Sequence, residues 1–516
     1  MLLAARAVSH CNAPMGFAQI LSRAESGLAA PAVRVEVHLG SGLPTFNIVG
    51  LPAPVVRESK ERVRAALAHC GFAFPAGRIT VNLAPAELPK EGGRFDLPIA
   101  LGILVASAQA DPGCDLARTE FYGELGLTGE LKPVAGLLLA ALHAARDGHG
   151  MRVPRANLAE LRQIRDCEVR GLLRLEELID GGGSAAEPIE GSACAVPGPA
   201  LPDLCEVRGQ WQAKRALLIA AAGAHSLLMS GPPGSGKSML AQRLPGLLPP
   251  LSQDEALEVA AIAAVARASA GAEIPMARPF RAPHHTASAH AIVGGGVAVR
   301  PGEVSLAHHG VLFLDELPEF DRRVLEALRE PLESGTVSVV RANQRAEYPA
   351  RFQLVAAMNP CPCGRAGQVR PRCRCEPKRI ERYRARISGP LLDRIDLQLA
   401  LPPVDAAALT AAPSCAASPE GISSATGAAQ VGAARERQLQ RQGVCNARLG
   451  PEQTLLHCGA DAAGMRLLRE AARVQGHSAR SQHRVLRVAR SIADLAGREA
   501  VVEGDVAEAL ALRWQD

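Results

Sequence analysis

Aromatic residues are scarce in this chain, and so is lysine. Phe, Trp and Tyr together make up 3% of its 516 residues, which argues against nucleic-acid binding built on rows of stacked rings. Only six of the 57 basic residues are Lys. Any extended contact with a nucleic-acid phosphate backbone would therefore depend on Arg.

Net charge is also small. The 57 Lys and Arg stand against 52 Asp and Glu, which leaves +5. This balance excludes a wholly basic nucleic-acid coat and an acidic disordered tail. Hydrophobic residues make up 47% and charged residues 21%, so the chain is globular, and its length predicts two to four domains.

Long apolar runs are missing as well. The longest, near Leu97–Ala106, is too short to cross a bilayer and contains Pro98, so we expect no membrane partner. The first residues lack the apolar stretch and cleavage site of a secretory signal.

The number of cysteines, 13, is odd. We expect a cytoplasmic protein, in which thiols stay reduced. Clustered thiols in such a protein bind metal rather than form disulfides.

Composition and periodicity divide the chain into five segments. Residues 1–180 alternate strand-like and helix-like patterns, with a period-two strand at Val33–Leu39 and a helix over 54–69. The predicted organisation is an α/β domain at 1–180, a Gly/Ser/Pro linker at 181–200, an α/β domain with a parallel sheet at 201–403, a flexible insertion at 404–434 and a helical domain at 435–516.

A glycine-rich loop predicts a nucleotide site. It follows a short apolar strand and opens a helix, which is the setting in which G-x-x-x-x-G-K-S binds phosphates. We expect backbone N–H groups to cradle the phosphates of ATP, Lys237 to reach the β- and γ-phosphates, and the Ser238 hydroxyl to ligate Mg²⁺. The loop consists of Gly231, Pro232, Pro233, Gly234, Ser235, Gly236, Lys237 and Ser238.

Two further apolar strands end in polar residues that suit ATP hydrolysis. Asp315 and Glu316 follow one of them; Asp315 would hold Mg²⁺ and Glu316 would polarise the attacking water. Asn359 follows the other and would touch the γ-phosphate or that water. Arg394 either supplies transition-state charge to a neighbouring subunit's nucleotide or forms an ordinary surface pair with Asp393, and the spacing leaves both open.

Four cysteines lie within 15 residues of one another. Cys361, Cys363, Cys373 and Cys375 form two C-x-C pairs. Thiolates at this density suit tetrahedral Zn²⁺, and the alternative is four reduced cysteines in an Arg-rich loop. The histidine pairs at 284/285 and 308/309 are interpreted as packing and hydrogen-bonding groups rather than metal ligands.

Positive charge is concentrated in two windows. Residues 361–390 carry nine basic and two acidic residues, and residues 431–490 carry eleven Arg and four acidic residues, so each window sums to +7. These windows favour a phosphate backbone as partner over a merely solvated face. A β-hairpin is predicted over 337–345, with Arg341 and Arg345 near its tip as candidate contacts to such a phosphate backbone.

Together these motifs resemble the ComM/YifB family of magnesium-chelatase-like AAA+ ATPases. The resemblance rests on the loop at 231–238 and on the segments Val207–Gln210, Arg281–Thr286, Pro301–Glu303, Leu306–Glu319, Met358–Gly364 and Arg386–Asp396. It covers nearly the whole chain. It implies a homo-hexameric ring with ATP between subunits, acting on single-stranded or branched DNA. The implied role is helicase and branch-migration activity in homologous recombination during natural transformation, alongside recombination proteins.

By position, the resemblance implies that Asn359 is the sensor 1 residue, Arg394 the arginine finger and Arg480 the sensor 2 arginine. Arg484 and Arg487, one and two turns further on, compete for the last role. The implied fold class is α/β: an AAA+ P-loop NTPase core with a parallel sheet, an N-terminal Lon-protease-like α/β domain and a C-terminal helical lid.

The Lon-like domain lacks the residues of a peptidase. Arg94 occupies the position of the Lon nucleophile Ser, and Leu138 that of its Lys. A Ser–Lys dyad needs a hydroxyl beside an amine of lowered pKa. We therefore predict no peptidase activity and a structural or DNA-binding use for this domain.

Two other functions are weighed against a DNA motor. A motor subunit of a magnesium or cobalt chelatase is opposed by the N-terminal domain and the cysteine cluster, since chelatase motor subunits typically lack both. An ATP-dependent protease is opposed by the missing dyad. Stimulation of ATP turnover by DNA would distinguish the motor from the chelatase subunit.

Overall fold

The computed structural model describes residues 16–162, 164, 166–178, 184–185, 201–267, 277–295, 299–341, 344–367, 372–403, 422–475 and 478–513. The chain divides into two compact units. One comprises residues 1–194 and 260–274, and the other comprises 195–259 and 275–516. The predicted linker at 181–200 lies almost entirely outside the described residues; only Ser184 and Ala185 are described, as a short strand.

A mixed eight-stranded sheet forms the base of the first unit. Its strands lie in the order β10-β9-β8-β5-β1-β2-β4-β3, and β6 pairs with β7 separately. Burial alternates along Ala32–Gly40, as expected of a strand with one face on a core. The strands are β1 (Phe17–Arg23), β2 (Ala32–Gly40), β3 (Thr45–Val49), β4 (Arg78–Ala84), β5 (Thr119–Phe121), β6 (Glu124–Leu125), β7 (Leu131–Lys132), β8 (Gly150–Pro154), β9 (Val169–Leu172) and β10 (Ser184–Ala185).

Helices cover this sheet. The helix Asp96–Ala106 is almost wholly apolar and buried, and it packs on β1 and β2. The helix Pro54–His69 packs against it and begins with Pro54 in the first turn, where the missing N–H costs nothing. The predicted strand over 33–39 and helix over 54–69 are therefore confirmed. The remaining helices here are Leu137–Asp147 and Leu158–Leu161.

Five parallel strands form the central sheet of the second unit, in the order β12-β15-β18-β11-β19. Every residue of β11, β15 and β18 is buried, as parallel sheets covered on both faces require. All carboxyl ends of these strands meet at one edge. The strands of this unit are β11 (Leu227–Ser230), β12 (Phe280–Arg281), β13 (Gly294–Gly295), β14 (Arg300–Pro301), β15 (Val311–Leu314), β16 (Thr336–Arg341), β17 (Gln344–Pro349), β18 (Gln353–Met358) and β19 (Leu397–Ala400).

Fourteen further helices are described after residue 200. Nine precede residue 400: Trp211–Gly223, Lys237–Arg243, Gln253–Arg267, Ala289–Val293, Glu303–Leu306, Arg322–Ala327, Arg329–Ser334, Pro377–Arg384 and Gly389–Leu392. The other five form the lid: Ser424–Gln442, Pro451–His457, Ala462–Gln475, Ala479–Leu495 and Glu503–Ala511. The predicted fold class, a parallel-sheet α/β core with a helical C-terminal region, is confirmed.

The prediction of a flexible insertion over 404–434 is wrong at its C-terminal end. A helix begins at Ser424, capped by the Ser423 hydroxyl, which accepts the N–H of Thr426. Val431 and Ala434 are buried in the second unit's core. Low charge and many Ala residues suggested flexibility, but Ala is the strongest helix former. Residues 404–421 lie outside the described residues.

Buried polar contacts join the lid to the sheet. The imidazole Nε2 of His225 lies 2.7 Å from the Ser491 hydroxyl, and Nδ1 lies 3.2 Å from the Asp396 carboxylate. This arrangement resembles a Ser-His-Asp triad, but His225 and Ser491 have no solvent exposure, so no substrate reaches them. Burial raises the pKa of Asp396, but His225 and neighbouring arginines outweigh it and lower the pKa overall. The hydrogen bonds among His225, Asp396 and Ser491 therefore have a structural role, which is to connect the lid to the sheet.

Among the described residues, no helix has the length and apolar character needed to cross a membrane.

Candidate functional site

The glycine-rich loop lies at the carboxyl edge of the parallel sheet. It connects β11, which ends at Ser230, to a helix that begins at Lys237. Gly234 and Gly236 have φ of +79° and +89°, a region that only glycine enters without strain. Gln210, to which the sequence analysis assigned no role, donates from Nε2 to the carbonyls of Ser235 (3.3 Å) and Pro402 (2.9 Å). A side chain from outside the loop, that of Gln210, thus helps to fix the loop's conformation.

Lys237 and Asn359 are in contact with each other. The Lys237 ammonium donates to the Gly231 carbonyl at 2.7 Å, the Pro232 carbonyl at 2.9 Å and the Asn359 side-chain oxygen at 3.3 Å. Burial lowers the pKa of Lys237, whereas Asp315 and Glu316 act to raise it. The side chain is therefore held at the point where the loop and β18 converge.

Ser238 and Asp315 supply oxygen atoms suited to Mg²⁺. The Ser238 hydroxyl donates to one Asp315 oxygen at 2.6 Å, and the backbone N–H of Glu316 donates to the other at 2.9 Å. A hydroxyl and a carboxylate in this position are ligands that Mg²⁺ accepts beside phosphate oxygens. The buried Ser235 hydroxyl has no hydrogen-bond partner in the described part of the chain, which also suits a loop that receives an oxygen-rich group.

Glu316 is held in an unusual conformation. Its φ of +53° lies in the left-handed region, which costs free energy in a residue with a side chain and is common at active sites. Its carboxylate lies 3.3 Å from Nδ1 of His285, a specific partner that the interpretation of His285 as a packing and hydrogen-bonding group did not name. The carboxylate is half-exposed, so water has access to it.

Arg394 and Arg480 lie at the opposite edge of the sheet. Arg394 precedes β19, which runs parallel to β11, so it lies at the amino edge, away from the loop. Its guanidinium binds Glu333 and the Pro390 carbonyl, and Arg480 lies 3.3 Å from the second Glu333 oxygen. The alternative left open by the sequence, a surface pair of Arg394 with Asp393, is not the pair observed, since Glu333 is the partner.

These two arginines line a cleft of about 710 Å³. Its acidic lining residues are Glu255, Glu333 and Asp396, and its Arg residues are Arg278, Arg351, Arg394, Arg435, Arg448, Arg480, Arg484 and Arg487. Arginines outnumber carboxylates, so the cleft suits an anionic group. The side chain of Arg480 is 70% exposed, whereas that of Arg484 is 12% exposed and pairs with Asp396. Arg480 is thus the more accessible of the two.

The four cysteines converge on one point. Sγ of Cys361 lies 3.4 Å from that of Cys363 and 3.6 Å from that of Cys373, and all four sulfurs lie within 4.8 Å of one another. These separations exceed the about 2.05 Å of a disulfide. They are close to the about 3.8 Å that tetrahedral geometry with Zn–S bonds of about 2.3 Å gives.

Backbone N–H groups support the same sulfurs. Ala366 donates to Sγ of Cys361 at 3.3 Å, and Cys375 donates to Sγ of Cys373 at 3.4 Å. The N–H of Arg365, more than any other contact, lowers the pKa of Cys363 to about 6. Four converging sulfurs and N–H···S support are properties of metal-binding cysteines, so the residues present fit Zn²⁺.

His308 and His309 form a hydrogen-bonded group with Glu258. Their Nε2 atoms lie 3.0 and 2.7 Å from one Glu258 oxygen. The backbone N–H of Arg351 donates to Nδ1 of His308, so the proton of that ring is on Nε2 and points to the carboxylate. Burial, followed by His309, lowers the pKa of His308 to about 4, so the ring is neutral near pH 7. These contacts are those of the predicted hydrogen-bonding role.

The predicted hairpin is confirmed, as β16 and β17 pair antiparallel with Arg341 opposite Gln344. The side chains of Arg341 and Arg345 lie outside the described residues.

The interpretation of 431–490 as one basic surface needs correction. Five of its arginines bind acceptors inside the unit: Arg435, Arg437, Arg441, Arg487 and Arg490. Arg466 and Arg469 on the helix Ala462–Gln475 are exposed.

In the N-terminal unit, Arg94 and the segment around Leu138 are neighbours. The Arg94 guanidinium donates to the Ala135 carbonyl at 2.8 Å and pairs with Glu25 at 2.8 Å. Leu138 is buried. The structure therefore brings together the two segments that the Lon comparison pairs, with Arg and Leu at the compared positions, and the absence of peptidase activity stays a prediction.

Three family descriptions match successive parts of the chain. "Subunit ChlI of Mg-chelatase" matches residues 35–157, "Magnesium chelatase, subunit ChlI" matches 203–409, and "Magnesium chelatase, subunit ChlI C-terminal" matches 421–513. The middle match contains the whole nucleotide site and the cysteine cluster. The last match begins close to the first lid helix.

Two similar proteins match over nearly their full length, and a chelatase subunit matches over a shorter part. Competence protein ComM of Haemophilus influenzae is 45% identical over 97% of this chain and 98% of its own. YifB of Salmonella typhimurium is 46% identical over the same shares. The magnesium-chelatase 67 kDa subunit of Heliobacterium mobile is 27% identical over 33% of this chain and 30% of its own. This chain belongs to the ComM/YifB family of magnesium-chelatase-like ATPases.

Proposed function

We propose that this protein is an ATP-driven ring motor that moves branched DNA during homologous recombination. One observation carries the proposal: the groups that bind ATP and the arginines that complete hydrolysis lie at opposite edges of one sheet. Lys237, Asp315 and Asn359 follow carboxyl ends of strands, whereas Arg394 precedes the amino end of β19. One chain therefore carries the ATP-binding half of a site at one edge of the sheet and the arginine half of another site at the opposite edge.

Hydrolysis at the first half-site follows from its side chains. Lys237 exchanges the carbonyls of Gly231 and Pro232 for phosphate oxygens. Ser238 and Asp315 would hold Mg²⁺, which neutralises phosphate charge when bound. Glu316 polarises the attacking water, and Asn359, next to Lys237, orients it. Each group acts by position and charge, as phosphoryl transfer requires.

A second copy of the chain supplies the missing arginines. Arg394 and Arg480 already converge on one carboxylate, Glu333, and phosphate oxygens would take the place of that carboxylate. A head-to-tail interface that joins one edge to the opposite edge of the next copy is heterologous, and it generates a ring when the rotation between copies closes. We propose a homo-hexamer, the ring that family resemblance implies.

DNA is the proposed partner of the ring. Its phosphates suit a chain whose positive charge is almost all Arg, and the binding would be tolerant of sequence and sensitive to salt. The backbone positions of Arg341 and Arg345 lie near the tip of the hairpin β16–β17, and we propose that these two arginines contact the DNA. ComM is named for competence, which supports a role in natural transformation. A chelatase subunit is less favoured because the chelatase relative matches only a third of this chain.

An ATP-dependent branch-migration assay tests the proposal. With a labelled three-strand junction, the wild-type protein is expected to convert substrate to product only when ATP and Mg²⁺ are present. Lys237→Ala, which removes the ammonium at the phosphates, should give no product. ATP turnover that ignores DNA but rises with a chelatase partner would contradict the motor and favour the chelatase alternative.

Removal of the hairpin charges should weaken DNA stimulation. We expect Arg341→Ala with Arg345→Ala to leave basal ATP turnover unchanged and to lower DNA affinity. The slope of log affinity against log salt should become shallower by about one for each phosphate that is no longer bound. Fluorescence anisotropy at several salt concentrations measures this. Arg466→Ala with Arg469→Ala removes the same charge from the exposed lid and serves as the control. If only the lid variant changes the slope, the hairpin is the wrong surface.

Zn²⁺ is the metal proposed for the cysteine cluster. Four sulfurs within 4.8 Å of one another and no carboxylate among them suit a closed structural site. Such a site contributes free energy of folding to a segment that has little apolar core of its own.

A further inference from the structure

The cysteine cluster is part of the wall of the nucleotide site. Cys361 follows Asn359 by two residues and is fully buried, and its carbonyl accepts the N–H of Gly364 at 2.9 Å. This tight turn returns the chain to the glycine-rich loop. We propose that Zn²⁺ in the cluster is a positioning element for ATP hydrolysis, because it holds the segment around Gly364 against Pro233 and Asn359. The proposal rests on the proposed ATPase function.

Gly364 is the point of contact. A Cβ atom added there would lie 2.6 Å from Cδ of Pro233 and 3.9 Å from Cγ of Asn359. Its φ of +75° is also one that side chains rarely adopt. No larger residue fits without moving the glycine-rich loop. The backbone of the cluster therefore packs directly on both the phosphate-binding loop and the sensor residue.

Apolar packing does not hold this segment in place. Cys361 is buried, but Cys363 is exposed, and Cys373 and Cys375 are half-exposed. Arg365, Arg372 and Arg374, which lie between the cysteines, are exposed as well. A segment with one buried side chain and several like charges needs a cross-link to keep a fixed shape. Four sulfurs around one metal ion supply that cross-link.

Asn359 is also held from its other side. The helix Pro377–Arg384 follows the cluster directly, and its Tyr383 is buried. The Tyr383 hydroxyl lies close to the backbone N–H of Asn359, and burial raises the pKa of Tyr383 to about 12. The metal-bound segment thus connects two contacts on the sensor residue, so removal of the metal should disturb the site at Asn359 as well as at Pro233.

The first experiment measures metal and turnover together. Wild-type protein purified without added metal is expected to hold about one zinc per chain, and Cys373→Ser with Cys375→Ser below about 0.2. In that variant, kcat/KM for ATP should fall by about tenfold or more. Cys114→Ser, in the other unit, is the control and should change neither value. Chelated wild type should regain turnover when Zn²⁺ is added back.

The second experiment leaves all four thiols in place. Gly364→Ala should keep its zinc and raise the KM for ATP, because the methyl group displaces Pro233. Gly367→Ala is the matched control. It lies in the same segment at φ +81°, but nothing lies within 4 Å of its Cβ, so the same backbone strain is present without the contact. Its KM should stay within about twofold of wild type.

Three outcomes overturn the proposal. They are wild-type protein without zinc, a zinc-free variant with unchanged kcat and KM, and equal effects of Gly364→Ala and Gly367→Ala. Failure of the proposed ATPase function is distinguishable, because zinc content and the binding of a fluorescent ATP analogue can be measured without turnover. Unchanged melting temperatures of the variants exclude general unfolding as the cause of a kinetic effect.

Discussion

Glu316→Gln is expected to lower ATP turnover by about 10²–10⁴-fold while ATP still binds. An amide cannot polarise water as a carboxylate does. The groups that hold the nucleotide, Lys237 and Ser238, bond to Asn359 and Asp315 rather than to the Glu316 side chain, so binding should survive. Phosphate release measures turnover, and filter binding of labelled ATP measures occupancy.

Glu319→Gln is the matched control for this variant. Glu319 lies three residues further on, and its carboxylate pairs with Arg386 at 2.7 Å. It carries the same charge change outside the hydrolytic groups, and turnover should stay within about threefold of wild type. If Glu316→Gln kept comparable activity, the water-polarising role would belong to another residue.

A mixture of Arg394→Ala and Lys237→Ala subunits is expected to recover ATP turnover that neither variant has alone. Each variant should lose about 10³-fold or more, since one lacks the arginine of the second half-site and the other the lysine of the first. In mixed rings, some interfaces pair an intact Lys237 with an intact Arg394. With random assembly, activity on the order of a quarter of wild type should return.

The double variant Lys237→Ala/Arg394→Ala provides the control. Mixed with Arg394→Ala subunits, it offers no interface with both groups and should give no recovery. Native mass spectrometry checks that the subunits have mixed. Mixed rings without recovered turnover would mean that Arg394 does not act on a neighbour's nucleotide.

The proximity of Asp315 and Asn359 to the glycine-rich loop was predictable because each of the two follows an apolar strand. Asp315 and Asn359 come directly after β15 and β18, and parallel strands bring their carboxyl ends to one edge. The contact of Gly364 with Pro233 was not predictable, because it joins residues more than 130 positions apart across a turn that no periodicity marks. Glu333 was missed for the same reason, since it meets Arg394 and Arg480 only in the folded unit.

Predictions based on composition alone were wrong where side-chain packing decides the structure. The Ala-rich, weakly charged stretch before residue 434 resembled a linker, but Val431 faces the core and the helix forms. The basic window over 431–490 resembled a free surface. Arg441 and Arg490 instead pair with the buried carboxylate of Asp494, because a buried charge must find a partner. The number of charged residues in a window does not show whether an arginine is exposed or paired inside the fold. The burial of each side chain does show it.

The position of Glu333 has a mechanical consequence. It lies in the last turn of the helix Arg329–Ser334, three residues before Thr336, where the hairpin strand β16 begins. While its carboxylate binds Arg394 and Arg480, the base of the hairpin is tethered to the arginine-lined cleft. In the ring proposed above, a neighbour's triphosphate that bound those two guanidiniums would displace Glu333. Nucleotide binding at the cleft would then change the position of the base of the hairpin.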